Sequence, residues 1–336
     1  MIAPRASGAA TPGWQRIDLE AGGSYALAYV PVSLAPGGPA PAIVFLHGHG
    51  PGPEWWQPML APLAEEQRFV LVLPKAEKDV SGYPAYGVGD DAAIVDEALR
   101  RSGERVAIDS RRVGLAGYSA GGAFALVLAY TTPARFNGVF ALGAPYRTVA
   151  QLADPRHAPP LRLYYGSLDP NYGNAYPLLE AMFASLGVPQ QLDVASGLGH
   201  SDLPTAALRD GFAFLLAQPV PPCAPSDTRL CLRGGRFAVE ATWSTAAAQG
   251  RAGAVRLTDE SGYFWFFDRE NVELDVKLLD ACGPYGRYWV FAAGTTDVEV
   301  VLTVTDLVRG QARSYSRPRG TPFAPVLDTA AFATCP

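Results

Sequence analysis

The sequence predicts an α/β domain, a mainly parallel and doubly wound sheet, followed by a smaller all-β, sandwich-like domain. Three observations carry this. Short apolar runs alternate with helix-length stretches through residues 14–217, a proline-rich break occupies 218–228, and residues 229–336 change to a hydrophobic period of two. Continuous apolar strands separated by helices are strands covered on both faces, which calls for a parallel sheet. Alternation instead marks strands with one face in the core and one in water.

Taken in order, Trp14–Asp18 and Ser24–Val30 read as an antiparallel hairpin at the sheet edge. Ala42–Leu46 is a buried strand, followed by a loop and a helix over Glu54–Gln67. Strand Phe69–Leu73, helix Asp90–Arg101, strand Val113–Ala116, helix Ala120–Tyr130 and strand Gly138–Leu142 continue the alternation. Strands Leu161–Tyr165 and Gln191–Val194 follow, with helices near Tyr176–Leu186 and Thr205–Leu216. The most apolar stretch, Gly121–Tyr130, falls well short of the roughly 20 residues of a membrane span and reads as a buried helix.

Four prolines in Gln218–Asp227 deny both helix and ladder hydrogen bonds, so this segment is a linker. Beyond it, Phe237, Val239, Ala241 and Trp243 share one strand face, as do Val272, Leu274, Val276 and Leu278. Tyr263–Phe267, Tyr288–Phe291 and Val298–Thr305 add strands without a convincing helix, the pattern of an antiparallel sandwich. The run Tyr263-Phe-Trp-Phe-Phe267 invites a carbohydrate- or polymer-binding reading. A strand buried on both faces explains it as well, and the core reading is preferred. If one face is exposed, alternation exposes either Phe264 and Phe266 or Tyr263, Trp265 and Phe267.

With 336 residues, 49% apolar and 18% charged, the chain has ample material for packed cores and is not disordered. A net charge of −5 without basic clusters argues against nucleic acid as a partner. The four cysteines, Cys223, Cys231, Cys282 and Cys335, all lie in the last third. That pattern suggests two disulfides and a secreted or periplasmic protein, with three pairings open. Met1–Arg5 lacks the pattern of a secretory leader, so an exported form would be one whose leader is missing here. No metal is expected, because no two cysteines have zinc-ligand spacing and all four histidines precede them.

The chemistry concentrates in Val113-Gly-Leu-Ala-Gly-Tyr-Ser-Ala-Gly-Gly122. Gly117, Ser119 and Gly121 form G-x-S-x-G between a predicted strand and a predicted helix. This tight turn lifts the serine hydroxyl clear of the sheet and aims helix amides at a developing oxyanion. The hydroxyl needs a base, and the base an orienting acid, in the chain order serine, acid, histidine. His200, in the glycine-rich loop Ser196–Asp202, supplies the base; His157, in a proline-flanked loop, reads as a surface residue. Asp169, after strand Leu161–Tyr165, is the acid, with Asp154 as the fallback. The loop His47-Gly-His-Gly50 offers the backbone amide of His49 as an oxyanion donor beside that of Ala120, while the His47 ring is structural. Trp55, Trp56 and Tyr118 are candidates to line the substrate site, with helix packing as the rival role for at least one tryptophan. No cofactor is called for.

On the loop at 47–50, the elbow at 117–121, Asp169 and His200, residues 14–217 resemble the α/β-hydrolase superfamily. Their compact layout is similar to that of the dienelactone hydrolase, carboxylesterase and polyhydroxybutyrate-depolymerase-like groups. The resemblance implies a serine esterase that forms an acyl-enzyme. Only 18 residues separate strands 138–142 and 161–165, too few for a helical cap. The site should therefore be open to small-molecule or polymeric esters, including polyesters and feruloyl esters. A serine peptidase or thioesterase on the same scaffold, or a secreted binding protein with a degenerate hydrolase domain, are the alternatives. Leu230–Phe237, Gly262–Phe267 and Tyr288–Phe291 make residues 223–336 similar to a cysteine-containing β module of secreted bacterial proteins, here an accessory domain.

Overall fold

The computed structural model describes residues 11–20, 24–34, 39–77, 86, 90–132, 136–152, 158–220 and 222–335. Met1–Arg5, Asp154 and His157, named above, lie outside the described residues. The chain divides into two compact units, 1–220 and 221–336, with the boundary inside the proline-rich stretch.

In the first unit β1 (Gly13–Asp18) and β2 (Tyr25–Val30) form the edge hairpin. Next come β3 (Ala40–Leu46), a 3-10 turn at Pro53–Trp56, α1 (Gln57–Gln67), β4 (Val70–Pro74), α2 (Asp90–Arg105), β5 (Ile108–Tyr118), α3 (Ala120–Thr131) and β6 (Gly138–Leu142). The unit ends with β7 (Leu161–Gly166), α4 (Pro170–Asn174), α5 (Tyr176–Ser185), β8 (Gln190–Ala195) and α6 (Thr205–Leu216). The eight strands lie in the order β1-β2-β4-β3-β5-β6-β7-β8. β2 is antiparallel to β1 and β4, and all later pairs are parallel.

Alternation along β3 shows how the sheet is covered. Ile43 and Phe45 cluster with Leu60 and Leu63 of α1 and Phe212 and Leu215 of α6. Val44 and Leu46 cluster with Ile94 and Val95 of α2, Phe124 of α3 and Phe183 of α5. Each such fully buried side chain contributes about 1.5–3 kcal/mol, which is why these strands read as unbroken apolar runs.

One strand is longer than its apolar core suggested. Ala40 pairs with Ile108 and Ala42 with Val113, so the polar residues 109–112 bulge from the ladder. The Asp109 carboxylate closes the bulge by accepting from the Arg111 amide at 3.0 Å and its guanidinium at 2.9 Å. The predicted helix at Glu54 likewise starts as the 3-10 turn, and α1 proper begins at Gln57.

The second unit comprises β9 (Leu230–Leu232), β10 (Phe237–Ser244), β11 (Gln249–Arg251), β12 (Gly253–Arg256), β13 (Ser261–Trp265), β14 (Leu274–Ala281), a single turn α7 (Cys282–Tyr285), β15 (Arg287–Gly294), β16 (Glu299–Asp306), β17 (Gln311–Arg317) and β18 (Val326–Phe332). One antiparallel sheet runs β11-β10-β16-β17 with β9 also on β10, and the other runs β12-β13-β14-β15-β18. Phe237 and Val239, Leu302 and Val304, and Leu274, Val276 and Leu278 meet in a single core. Val272 departs from the expected row: it precedes β14 and is exposed. The aromatic run is resolved by alternation. Phe264 and Phe266 are buried, Tyr263 and Trp265 half-buried, and Phe267 exposed, so the core reading holds for one face only.

Disulfides join Cys223 to Cys231 and Cys282 to Cys335, resolving the pairing that spacing left open. Arg236 adds a polar tie, holding the fully buried Asp306 carboxylate at 2.8 Å and donating to the Tyr288 hydroxyl at 3.0 Å. Burial opposes the charge on Asp306 most strongly, but the hydrogen bonds from Arg236, Thr334 and the Arg309 amide, with the Arg236 charge, together outweigh it and hold the carboxyl below its usual range.

Candidate active site

Ser119 sits between β5 and α3 with φ 54° and ψ −121°. A side-chain-bearing residue held there is strained by about 1–3 kcal/mol. The surrounding backbone fixes it: the Ser119 amide donates to Leu142 O at 2.8 Å, and the Ala123 amide to Ser119 O at 3.0 Å. A Cβ at Gly117 would lie 2.4 Å from Gly121 O, and one at Gly121 would lie 2.2 Å from Leu46 O. The glycines of the motif are therefore required by crowding on both sides of the serine.

His200 lies in the loop between β8 and α6, with 30% of its side chain exposed. Its Nδ1 is 2.8 Å from Asp169 Oδ2 and its Nε2 is 3.0 Å from Ser119 Oγ. A carboxylate only accepts, so Nδ1 carries the proton and Nε2 is free to accept from the serine hydroxyl. Asp169 is 4% exposed and caps α4 by accepting from the Asn171 amide at 2.8 Å. The Asn171 side chain donates in turn to Gly143 O at 2.9 Å. Gly143 follows β6 with φ 55°, and a Cβ there would lie 3.0 Å from both Asp169 Oδ2 and His200 Nδ1. Gly143 and Asn171 thus form the floor of the hydrogen-bonded row, and both escaped the sequence reading. The helix-capping pattern Asp-Pro-Asn and a glycine directly after a strand were the available signals.

The His47 ring is buried and structural. Its Nε2 accepts from the Ala76 amide at 3.1 Å, so Nδ1–H donates to Gly48 O at 2.7 Å. Burial holds this imidazole below its ordinary pKa, partly opposed by the Gly48 hydrogen bond. The same loop lies on the elbow: a Cβ at Gly48 would be 3.3 Å from the Ser119 Cβ. His49, next in the chain, is exposed, and Ala120 is the first residue of α3.

The two tryptophans part company. Trp56 is 2% exposed, packed against Phe45 at 4.6 Å and Tyr118 at 5.3 Å. The expectation that it lines a substrate site is corrected: this indole anchors its turn to the sheet. Trp55 is 53% exposed. Tyr118 is half-buried beside His200. Between β6 and β7 the described residues, 143–152 and 158–160, contain no helix. Among the described residues no group of three or more His, Cys, Asp or Glu is arranged to hold a metal, and no helix is long and apolar enough to cross a membrane.

Comparison with known proteins agrees with this architecture. Residues 85–208 match the family described as Phospholipase/Carboxylesterase. The fold is similar to an S-formylglutathione hydrolase from Staphylococcus aureus, at 14% identity and TM-score 0.50, covering 61% of this chain and 98% of that one. It is also similar to an S-formylglutathione hydrolase from Agrobacterium tumefaciens, at 14% identity and TM-score 0.50, covering 64% and 99%. No curated protein sequence matches the chain. The first unit shares the α/β-hydrolase fold of those structures, and antiparallel sheets follow it at the C-terminal end. The stretch matched to that family takes in Ser119, Asp169 and His200.

Proposed function

We propose that the enzyme cleaves carboxylic esters through an acyl-enzyme formed on Ser119. The reading rests above all on the continuous row Ser119 Oγ–His200 Nε2 at 3.0 Å and His200 Nδ1–Asp169 Oδ2 at 2.8 Å. In the first half-reaction Ser119 Oγ attacks the ester carbonyl while His200 Nε2 takes its proton. Asp169 holds the ring and stabilises the imidazolium. The tetrahedral intermediate collapses, and the alkoxide leaves with the proton from Nε2. In the second half-reaction water, deprotonated by His200, attacks the acyl carbon; as the acyl–Ser119 bond breaks, His200 returns the proton to Ser119 Oγ and the acid is released. The backbone amides of His49 and Ala120 serve as the oxyanion donors, a role favoured by the close approach of Gly48 to Ser119.

For the substrate we infer a bulky or polymeric ester with an apolar portion. Trp55 follows β3, Tyr146 follows β6 and Leu168 follows β7, and they are 53%, 39% and 67% exposed. All three stand on loops at the carboxyl ends of parallel strands, the edge that also carries Ser119. Exposed large apolar side chains gathered at one edge favour an apolar contact surface. The test is turnover of a p-nitrophenyl ester chain-length series, then polyester and feruloyl substrates, with Ser119→Ala as control. Serine-dependent turnover that weakens in Trp55→Ala for the longer or aromatic esters supports the reading. Turnover that persists in Ser119→Ala, or is absent for every ester, refutes it.

A further inference from the structure

Tyr118 does more in this structure than flank the serine. Its hydroxyl donates to the backbone carbonyl of His200 at 3.0 Å. Its ring lies over the imidazole with centroids 5.1 Å apart and planes at 30°. The ring has little freedom to leave: Trp56 packs on it at 5.3 Å, and a Cβ at Gly48 would lie 2.9 Å from its Cδ1. Burial pushes the phenol above its ordinary pKa, with the Ser201 side chain acting in the opposite sense. The group therefore keeps its proton and remains a donor across the working range of an esterase.

The histidine loop has other ties, and they hold different residues. The Leu168 amide donates to Leu198 O at 2.8 Å, the Gly197 amide to Ser167 Oγ at 2.9 Å, and the Gly199 amide to Asp202 Oδ2 at 2.7 Å. The Tyr118 bond falls on His200 itself. Tyr118 is also covalently next to Ser119, so serine and histidine are joined twice. One link is their own hydrogen bond at 3.0 Å. The other runs through the peptide to Tyr118 and across its hydroxyl.

We infer that Tyr118 is a positioning residue that sets the reach of His200 to Ser119 from the nucleophile's own turn, by a hydroxyl tether to the histidine backbone and a ring that fixes the imidazole plane. The inference rests on the Ser119–His200–Asp169 reading above. Reacting groups misplaced by about 1 Å lose up to about 100-fold in rate, so the tether should act on turnover more than on substrate binding.

The test compares Tyr118→Phe, which keeps the ring, with Tyr118→Leu, which removes both contacts, in the full chain. Tyr118→Phe should lower kcat about five- to tenfold with KM within about twofold, the range expected from one lost hydrogen bond. Tyr118→Leu should lower kcat about 50- to 100-fold. Tyr118→Phe should keep the wild-type Tm, and in both variants inactivation by a fluorophosphonate, which also needs an activated serine, should slow in parallel with kcat. Wild-type kcat in Tyr118→Phe, or in that variant a loss carried mainly by KM or matched by a fall in Tm, would overturn the inference. Ser119→Ala separates the two levels. If that variant is inactive while Tyr118→Phe is unimpaired, the tether alone fails. If it remains active, the triad reading fails.

Discussion

Residues 1–220 and 221–336 are both compact, but different forces hold them. The longer unit contains no cysteine, and its sheet is sealed on both faces by residues such as Phe45 and Phe212 on one side and Val44 and Phe124 on the other. The shorter unit, about half the length, has one core between two sheets, two disulfides and the buried Arg236–Asp306 pair. Small domains bury a smaller fraction of their surface and need added ties. The comparison separates a longer unit stabilised by packing from a shorter unit stabilised by cross-links.

The sharpest way to test that separation is Ser119→Ala, expected to lower kcat/KM by at least about 10^4-fold. Hydrogen exchange should be unchanged in both units, and altered protection in 222–335 would break the separation. Next in size is Arg236→Met, which leaves Asp306 buried without its cation and should destabilise the shorter unit by about 3–5 kcal/mol. Urea unfolding read by exchange would check it, and Arg236→Met with Asp306→Leu should recover most of the loss. Removing the Cys282–Cys335 bridge opens a 53-residue separation, worth about 4 kcal/mol on chain entropy. The 8-residue separation of Cys223 and Cys231 is worth about 2.5 kcal/mol on the same relation. Reduction of the full chain should therefore free amides in 222–335 while ester turnover persists, and parallel loss of turnover would defeat the comparison.

The smallest effect concerns His47, held by burial below its ordinary value of 6.5. As pH falls through about 6.5 the unfolded chain takes up this proton and the folded ring does not. Stability that is full above that point is lost on acidification toward the folded pKa. His47→Gln should flatten this slope in the first unit and leave the second untouched, as a pH series of denaturant midpoints would reveal.

Much of this was legible beforehand. The elements whose burial is enforced on two faces, such as β3 and β6, stand out because every residue must be apolar. The elbow stands out because crowding admits only glycine on both sides of Ser119. What stayed hidden depends on partners distant in the chain. β17 is an edge strand of polar residues, Gln311-Ala-Arg-Ser-Tyr-Ser-Arg317, whose only signal is the strand beside it. The β5 bulge disguised its first half behind Asp109–Arg112. Trp55 and Trp56 are adjacent and chemically identical, and only the packing of Phe45 and Tyr118 assigns one to the interior. Gly143 and Asn171 support Asp169 through the Asn171 amide and through the Asn171 side chain bound to Gly143 O, contacts that a capping Asp-Pro-Asn and a glycine after a strand signal only weakly.

With Ser119 as the proposed nucleophile, its backbone twist, φ 54°, sets thermal endurance against turnover. Glycine adopts that conformation freely, so Ser119→Gly relieves the strain and should raise the unfolding temperature of a protein it leaves inert. Selection for heat tolerance alone would drift toward that silent form. The serine persists in such a turn only where its reaction is kept under selection, and a library screened for stability without an activity gate should lose it among the first positions.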